Sequence, residues 1–138
     1  MRPLWTLALL GVLASAGCGE NDITPPRSCL PALIAPADGA ILDNGCSQPE
    51  ESPVWSFRWE VCDRASDYHL QVMREEASIP LLDDSTLTKT SYVFSEPGLV
   101  TDENRLGWKW RVRALVRGTW TAWAERSFDV EPLNTDCP

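Results

Sequence analysis

The chain has 138 residues, with 12 basic and 20 acidic side chains, one histidine and five cysteines. That length suits one domain with a real core. A balance of −8 excludes nucleic-acid binding through phosphate contacts and gives no overall attraction to an anionic lipid surface. At the start, Met1 and Arg2 are followed by an apolar run from Leu4 to Leu13, and then by the small residues Ala14, Ser15, Ala16 and Gly17. This is the outline of a secretory signal with a small-residue cleavage site. The run is about half of what a bilayer span needs.

Residue 18 is a cysteine, and the segment resembles a bacterial lipoprotein signal, whose cysteine becomes the lipidated first residue of the mature chain. Ser15 stands where such signals most often carry leucine. The alternative is cleavage after Ala16, which would release a soluble chain starting at Gly17. Cysteine parity favours lipidation. Assigning Cys18 to lipid leaves Cys29, Cys46, Cys62 and Cys137, an even set for an oxidising compartment. The expected organisation is a signal peptide over 1–17, a lipidated flexible tether over 18–28 and a folded domain over 29–138. Removing residues 1–17 leaves 121, and the loss of Arg2 leaves 11 basic against 20 acidic groups. The covalent lipid is therefore expected to supply most of the membrane affinity. Gly19 to Ser28 is polar and proline-containing, and ten such residues reach at most about 35 Å. Gly19 is not the aspartate associated with inner-membrane retention in enteric bacteria. That favours the outer membrane of a bacterial envelope, with the domain on its periplasmic or surface face.

From Cys29 onward the pattern is β. Trp55, Phe57, Trp59 and Val61 alternate with Ser56, Arg58 and Glu60. Tyr68, Leu70 and Val72 alternate with His69 and Gln71, and Trp108, Trp110, Val112 and Ala114 alternate with Lys109, Arg111 and Arg113. Each is the period-2 signature of a strand with one buried face. Shorter candidates are Ala32 to Ala35, Ile79 to Leu82, Thr90 to Phe94 and Arg126 to Val130. Turn signals separate them at Pro36 to Gly39, Asp43 to Gly45, Asp83-Asp84, Pro97-Gly98 and Arg117-Gly118. Seven short strands without a helical period predict an all-β, seven-stranded antiparallel sandwich.

Several of these segments together resemble an immunoglobulin-like domain of the fibronectin type III family. They are Pro31 with Pro36-Ala37-Asp38-Gly39, Phe57-Arg58-Trp59, Tyr68 to Val72, and Trp108 to Ala114. The likeness spans roughly residues 30 to 131. It implies that Trp59 is the core tryptophan of the second strand and that Tyr68 opens the third. Three features depart from the family: Trp108 occupies the corner-tyrosine position, the segment from Leu99 to that site is longer than usual, and the four cysteines are additional.

The sequence offers little catalytic chemistry. His69 is the only histidine and sits on the outward set of its strand, as a solvated surface residue would. No nucleophile motif, phosphate-cradling loop or calcium loop is present, and the cysteines lack zinc spacing. Asp83-Asp84 and Asp102-Glu103 read as surface acids, and Arg117-Gly118-Thr119 reads as a plain hairpin turn. Neither enzymatic activity nor a cofactor or metal is expected. Trp120-Thr121-Ala122-Trp123-Ala124 resembles a degenerate Trp-Ser-x-Trp-Ser motif of class I cytokine receptors, which implies that its tryptophans interleave with outward arginines. Arg111 and Arg113 are placed for that, at about 0.5–1 kcal/mol per exposed stack. The competing expectation is that Trp120 and Trp123 form an open platform for sugar rings.

Strand alternation puts the two termini at opposite poles. Glu50, Glu51, Glu75, Glu76, Asp102 and Glu103 are expected to gather at the carboxyl-terminal pole, away from the lipid, as a solubilising cap or an acidic binding site. A strand of about eight residues spans roughly 26 Å, and a disulfide tolerates at most about 7 Å between α-carbons. Cys29 and Cys62 fall at one pole, and Cys46 and Cys137 at the other. The expected bridges are thus Cys29–Cys62 and Cys46–Cys137. The function expected is a membrane-anchored, non-catalytic module that binds an envelope protein or plays a structural part, with a carbohydrate-binding module as the alternative.

Overall fold

The alternating segments form two packed β-sheets with no helix among the described residues. The structure, a computed structural model, describes residues 29–46, 52–95 and 100–133. The strands are β1 (Leu33–Ala35), β2 (Ala40–Leu42), β3 (Trp55–Trp59), β4 (Ala65–Arg74), β5 (Leu82–Leu87), β6 (Ser91–Phe94), β7 (Trp108–Val116), β8 (Thr119–Trp120) and β9 (Ala124–Val130). One sheet has the order β1-β3-β6. The other has the order β2-β9-β7-β4-β5, with β8 paired to β7.

The expected seven-stranded, wholly antiparallel count needs correction. The seven strands correspond to β1, β3, β4, β5, β6, β7 and β9, and β2 and β8 are added to them. β2 pairs with β9 in parallel, so the larger sheet is mixed. The cause lies in the Pro36 to Gly39 turn. Pro36 has no N–H to continue a ladder, and Gly39 takes φ 73°, a conformation that glycine adopts without steric cost. The chain leaves the small sheet after Ala35 and joins the large one at Ala40. Residues of β9 hold this crossing. Arg126 donates to the carbonyls of Ile34 and Pro36 at 3.0 and 2.9 Å. The Ser127 N–H and hydroxyl donate to the Asp38 carboxylate at 2.8 and 2.9 Å.

Two further boundaries move. β5 starts where the strand Ile79 to Leu82 was expected to end, so Asp83 and Asp84 lie in a strand and not in a turn. Asp84 accepts from the Thr86 N–H and hydroxyl at 2.9 and 2.8 Å, which satisfies its carboxylate within the strand. β3 stops at Trp59, and Val61 is 78% exposed. Cys62 takes the buried position instead, its N–H donating to the Tyr68 hydroxyl at 2.8 Å.

The core is an aromatic layer between the sheets. Trp55 meets Phe128 at 5.5 Å between ring centroids, Phe57 meets Trp110 at 5.4 Å, and Trp59 meets Tyr68 at 5.6 Å. All are buried, and tilted or edge-on pairs of this kind add to their apolar burial. Trp108, at the position where the resemblance leads one to expect a corner tyrosine, donates its indole N–H to the Asn104 carbonyl at 2.7 Å. A corner bond is therefore made with an indole donor, four residues back along the chain.

The Cys29–Cys62 bridge is present, with 5.7 Å between α-carbons and a separation of 33 residues. Cys46 is also disulfide-bonded. Cys137, Cys18 and the signal segment lie outside the described residues. Closing a loop of that length reduces unfolded-state entropy by about 4 kcal/mol at most. Replacing Cys29 and Cys62 together by alanine is expected to lower stability by about 2–4 kcal/mol, measured by urea unfolding against the wild-type chain.

Candidate functional site

The outer face of the larger sheet carries the densest group of polar and aromatic side chains. On β7, alternation sends Trp108, Trp110, Val112 and Ala114 inward and Lys109, Arg111 and Arg113 outward. The β4–β7 register sets His69 opposite Arg113 and Gln71 opposite Arg111, and the β4–β5 register sets Asp83 beside Gln71.

The tryptophans reach this face through an irregular return of the chain. Arg117 and Gly118, at φ 51° and 78°, form the two-residue turn suited to a twisted hairpin. Leu115 pairs with Trp120 and Val112 with Ala124. The segment 121–123 thus has one residue more than the two of β7 that it faces. This is a bulge, and Thr121 closes it. Its N–H donates to the Ala114 carbonyl at 2.9 Å, and its hydroxyl accepts from the Ala114 N–H at 3.0 Å. The extra residue redirects Trp123 onto the sheet face.

The result is an interleaved stack. The Arg113 guanidinium lies 4.9 Å from the Trp120 ring centroid and 4.5 Å from that of Trp123, and Arg111 lies 4.4 Å from Trp123. The order is Trp120, Arg113, Trp123, Arg111. Hydrogen bonds continue the group sideways. Arg111 Nε donates to Gln71 Oε1 at 2.9 Å, and Gln71 Nε2 donates to Asp83 Oδ1 at 3.0 Å. Glu125 is 3.6 Å from Lys109 and 4.0 Å from Arg111.

His69 does point outward, but it is not solvated. It is only 8% exposed, because the indoles of Trp123 and Trp120 cover it at centroid distances of 4.9 and 5.6 Å. Arg113 Nε and Nη2 donate to its Nδ1 at 3.2 and 3.0 Å, and its Nε2 meets Asp83 Oδ1 at 2.5 Å. Since Arg113 has only donors, Nδ1 holds a lone pair and Nε2–H donates to Asp83. A histidine–aspartate pair is thus present, but its other nitrogen faces a guanidinium and not a nucleophile. The histidine braces the ladder through both ring nitrogens.

The hydrogen bond from His69, and then that from Gln71, hold the Asp83 carboxyl below its ordinary value of 3.8. The backbone N–H of Ser127, and then its hydroxyl, do the same for Asp38.

Most of the acidic residues singled out in the sequence lie away from this face. Arg74 pairs with Trp108, Trp108 with Phe128 and Leu42 with Val130. Glu75, Glu76, Asp102, Glu103, Asp43 and Glu131 therefore share the carboxyl-terminal pole, whereas Glu50 and Glu51 lie outside the described residues. Asp102 accepts from the Leu133 N–H at 2.8 Å, which makes it part of the chain's path. Among the described residues no three His, Cys, Asp or Glu side chains converge on a metal position. A cleft of about 340 Å³ opens on the same side, lined by Asp38, Glu75, Lys109, Arg126 and Asp129 among others. Three of its polar groups are engaged by the fold: Asp38 by Ser127, Asp129 by the Gly107 N–H at 2.9 Å, and Lys109 by Glu125.

No protein-family model matches the chain, and no curated protein matches it. Among solved structures it is similar to an Fn3-like protein from Clostridium thermocellum, at 16% identity and a TM-score of 0.49, over 78% of this chain and 98% of that one.

Stacking and hydrogen bonding make Arg113 the centre of the face. In a double-mutant cycle of Arg113→Ala and Trp120→Ala, the coupling is expected to be about 0.5–1 kcal/mol, read by urea unfolding. A coupling of zero would contradict the stack. For Asp83 the folded value lies below the unfolded one. Its stabilisation is therefore complete above the ordinary carboxylate value and is lost as pH falls below about 4. Wild type should thus lose stability more steeply than Asp83→Asn between about pH 4 and the folded value of Asp83, measured by thermal unfolding across the acid range.

Proposed function

We propose that the chain is a bacterial envelope lipoprotein, held by an acylated Cys18, whose fibronectin type III-like domain acts as a non-catalytic protein-interaction or structural module. The domain reading is supported by the strand order. Seven strands divide between a β1-β3-β6 sheet and a β9-β7-β4-β5 sheet, with antiparallel neighbours throughout those seven. The disulfide between Cys29 and Cys62 fits an oxidising compartment. The outer membrane is favoured by Gly19 after the lipid cysteine.

One observation carries the choice of an interaction module over a glycan platform: the arginine stack on Trp120 and Trp123. A sugar ring needs an open indole face, and here Arg113 fills the gap between the two indoles while Arg111 covers Trp123. Opening that gap would also break the Arg113–His69 hydrogen bonds. A rigid outer sheet face of this kind supports the fold and presents its edges and loops to a partner.

The test has two arms. Metabolic palmitate should label the wild-type chain and not Cys18→Ser; equal labelling, or a mature terminus at Gly17, would refute the anchor. In the second arm the purified domain should capture an envelope protein and give no signal on a glycan array. Glycan binding that is lost in Trp120→Ala and Trp123→Ala would establish the carbohydrate reading instead.

A further inference from the structure

Among the described residues, only two residues other than glycine take a positive φ, and both are arginines: Arg64 at 63° and Arg117 at 51°. Each stands at a turn position that glycine or asparagine fills more readily. Arg64 lies in the turn closed by the Ala65 N–H on the Cys62 carbonyl at 3.1 Å. Arg117 opens the β7–β8 hairpin. The register brings the two turns together, because Ala65 pairs with Val116. Both arginines point to solvent, and neither makes a hydrogen bond or ion pair outside its own turn among the described residues. Arg64 touches only its neighbour Asp63, at 3.5 Å. The fold thus bears a backbone strain at two places without gaining an internal contact from either side chain.

The same pole carries the disulfide. Leu30 and Val61 flank Cys29 and Cys62 and are 54% and 78% exposed. Lys89 is exposed in the β5–β6 turn beside them. At this pole Arg64, Lys89 and Arg117 balance Glu60, Asp63 and Asp67. Among the described residues of the opposite one, the acids Asp43, Glu75, Glu76, Asp102, Glu103 and Glu131 outnumber the bases Arg74, Arg105 and Lys109. Only ten residues separate Cys18 from Cys29, and they join the domain at the neutral, arginine-bearing pole.

We infer that this pole is a docking surface for the phospholipid headgroups of the bilayer that holds the Cys18 acyl chains. The inference rests on the anchor proposed above and adds an orientation to it. Arg64 and Arg117 meet lipid phosphates with their guanidinium forks, while Val61 and Leu30 enter the interfacial layer. The acidic pole is repelled by an anionic surface and turns outward, so the long axis of the domain stands up from the membrane.

The experiment uses the full acylated chain recovered from membranes, its acylation read by intact mass. Hydrogen exchange is compared on phosphatidylglycerol/phosphatidylethanolamine vesicles and in detergent. Residues 60–64 and 117–118 are expected to exchange more slowly on the vesicles, and residues 75–79 and 102–106 at the same rate in both. Arg64→Gly and Arg117→Gly suit the left-handed backbone, so they keep the fold. Each is expected to lose about fivefold of the protection, given roughly 1 kcal/mol per basic group at an anionic surface. An acylated chain whose two poles exchange alike on vesicles and in detergent overturns this inference alone. A chain without acyl groups overturns the anchor and this inference together.

Discussion

Strand β7 is the constraint on which the rest of the molecule depends, because it is central in the larger sheet and its two faces do different work. Its inward set, from Trp108 to Ala114, is buried against the small sheet. Its outward set supplies both guanidinium groups of the stack. A one-residue slip would exchange the two sets, putting arginines in the core and tryptophans in water. The corner bond of Trp108 to Asn104 pins the start of the strand, and the Arg117-Gly118 turn sets its far end.

The bulge at Thr121 shows how a small local irregularity organises a surface. A regular hairpin would carry the tryptophans alternately above and below the sheet. With one extra residue and a hydroxyl standing in for a backbone partner of Ala114, Trp120 and Trp123 both reach the outer face. His69 is then enclosed by groups from three strands and a loop. Its two nitrogens are used by Arg113 and Asp83, so the one imidazole in the chain acts as a brace within a polar network.

Charge is distributed unevenly along the sandwich. The carboxyl-terminal pole is strongly acidic among its described residues, whereas the pole with the Cys29–Cys62 bridge is balanced. A net negative charge alone argues for repulsion from anionic surfaces. Its separation into poles confines that repulsion to one end, since the acids lie a strand length from the balanced pole, beyond a Debye length of about 8 Å.

Much was legible in the residues themselves. The period of two in 55–59, 68–72 and 108–114 reports local burial, so the sandwich, its aromatic core and the outward setting of Arg111 and Arg113 followed from the sequence. Cysteine positions relative to strand ends were enough for the Cys29–Cys62 bridge, because a strand length exceeds what a disulfide can span. The parallel β2–β9 pair, the strand at Asp83-Asp84 and the burial of His69 were not legible. Each depends on a partner distant in sequence: Ser127 and Arg126 for the crossing to β2, His69 and Gln71 for Asp83, and Trp120 and Trp123 for His69. A strand's pattern determines which face a side chain takes. Which strand lies beside it, and at what register, is decided only when the sheets close and the buried polar groups find their partners.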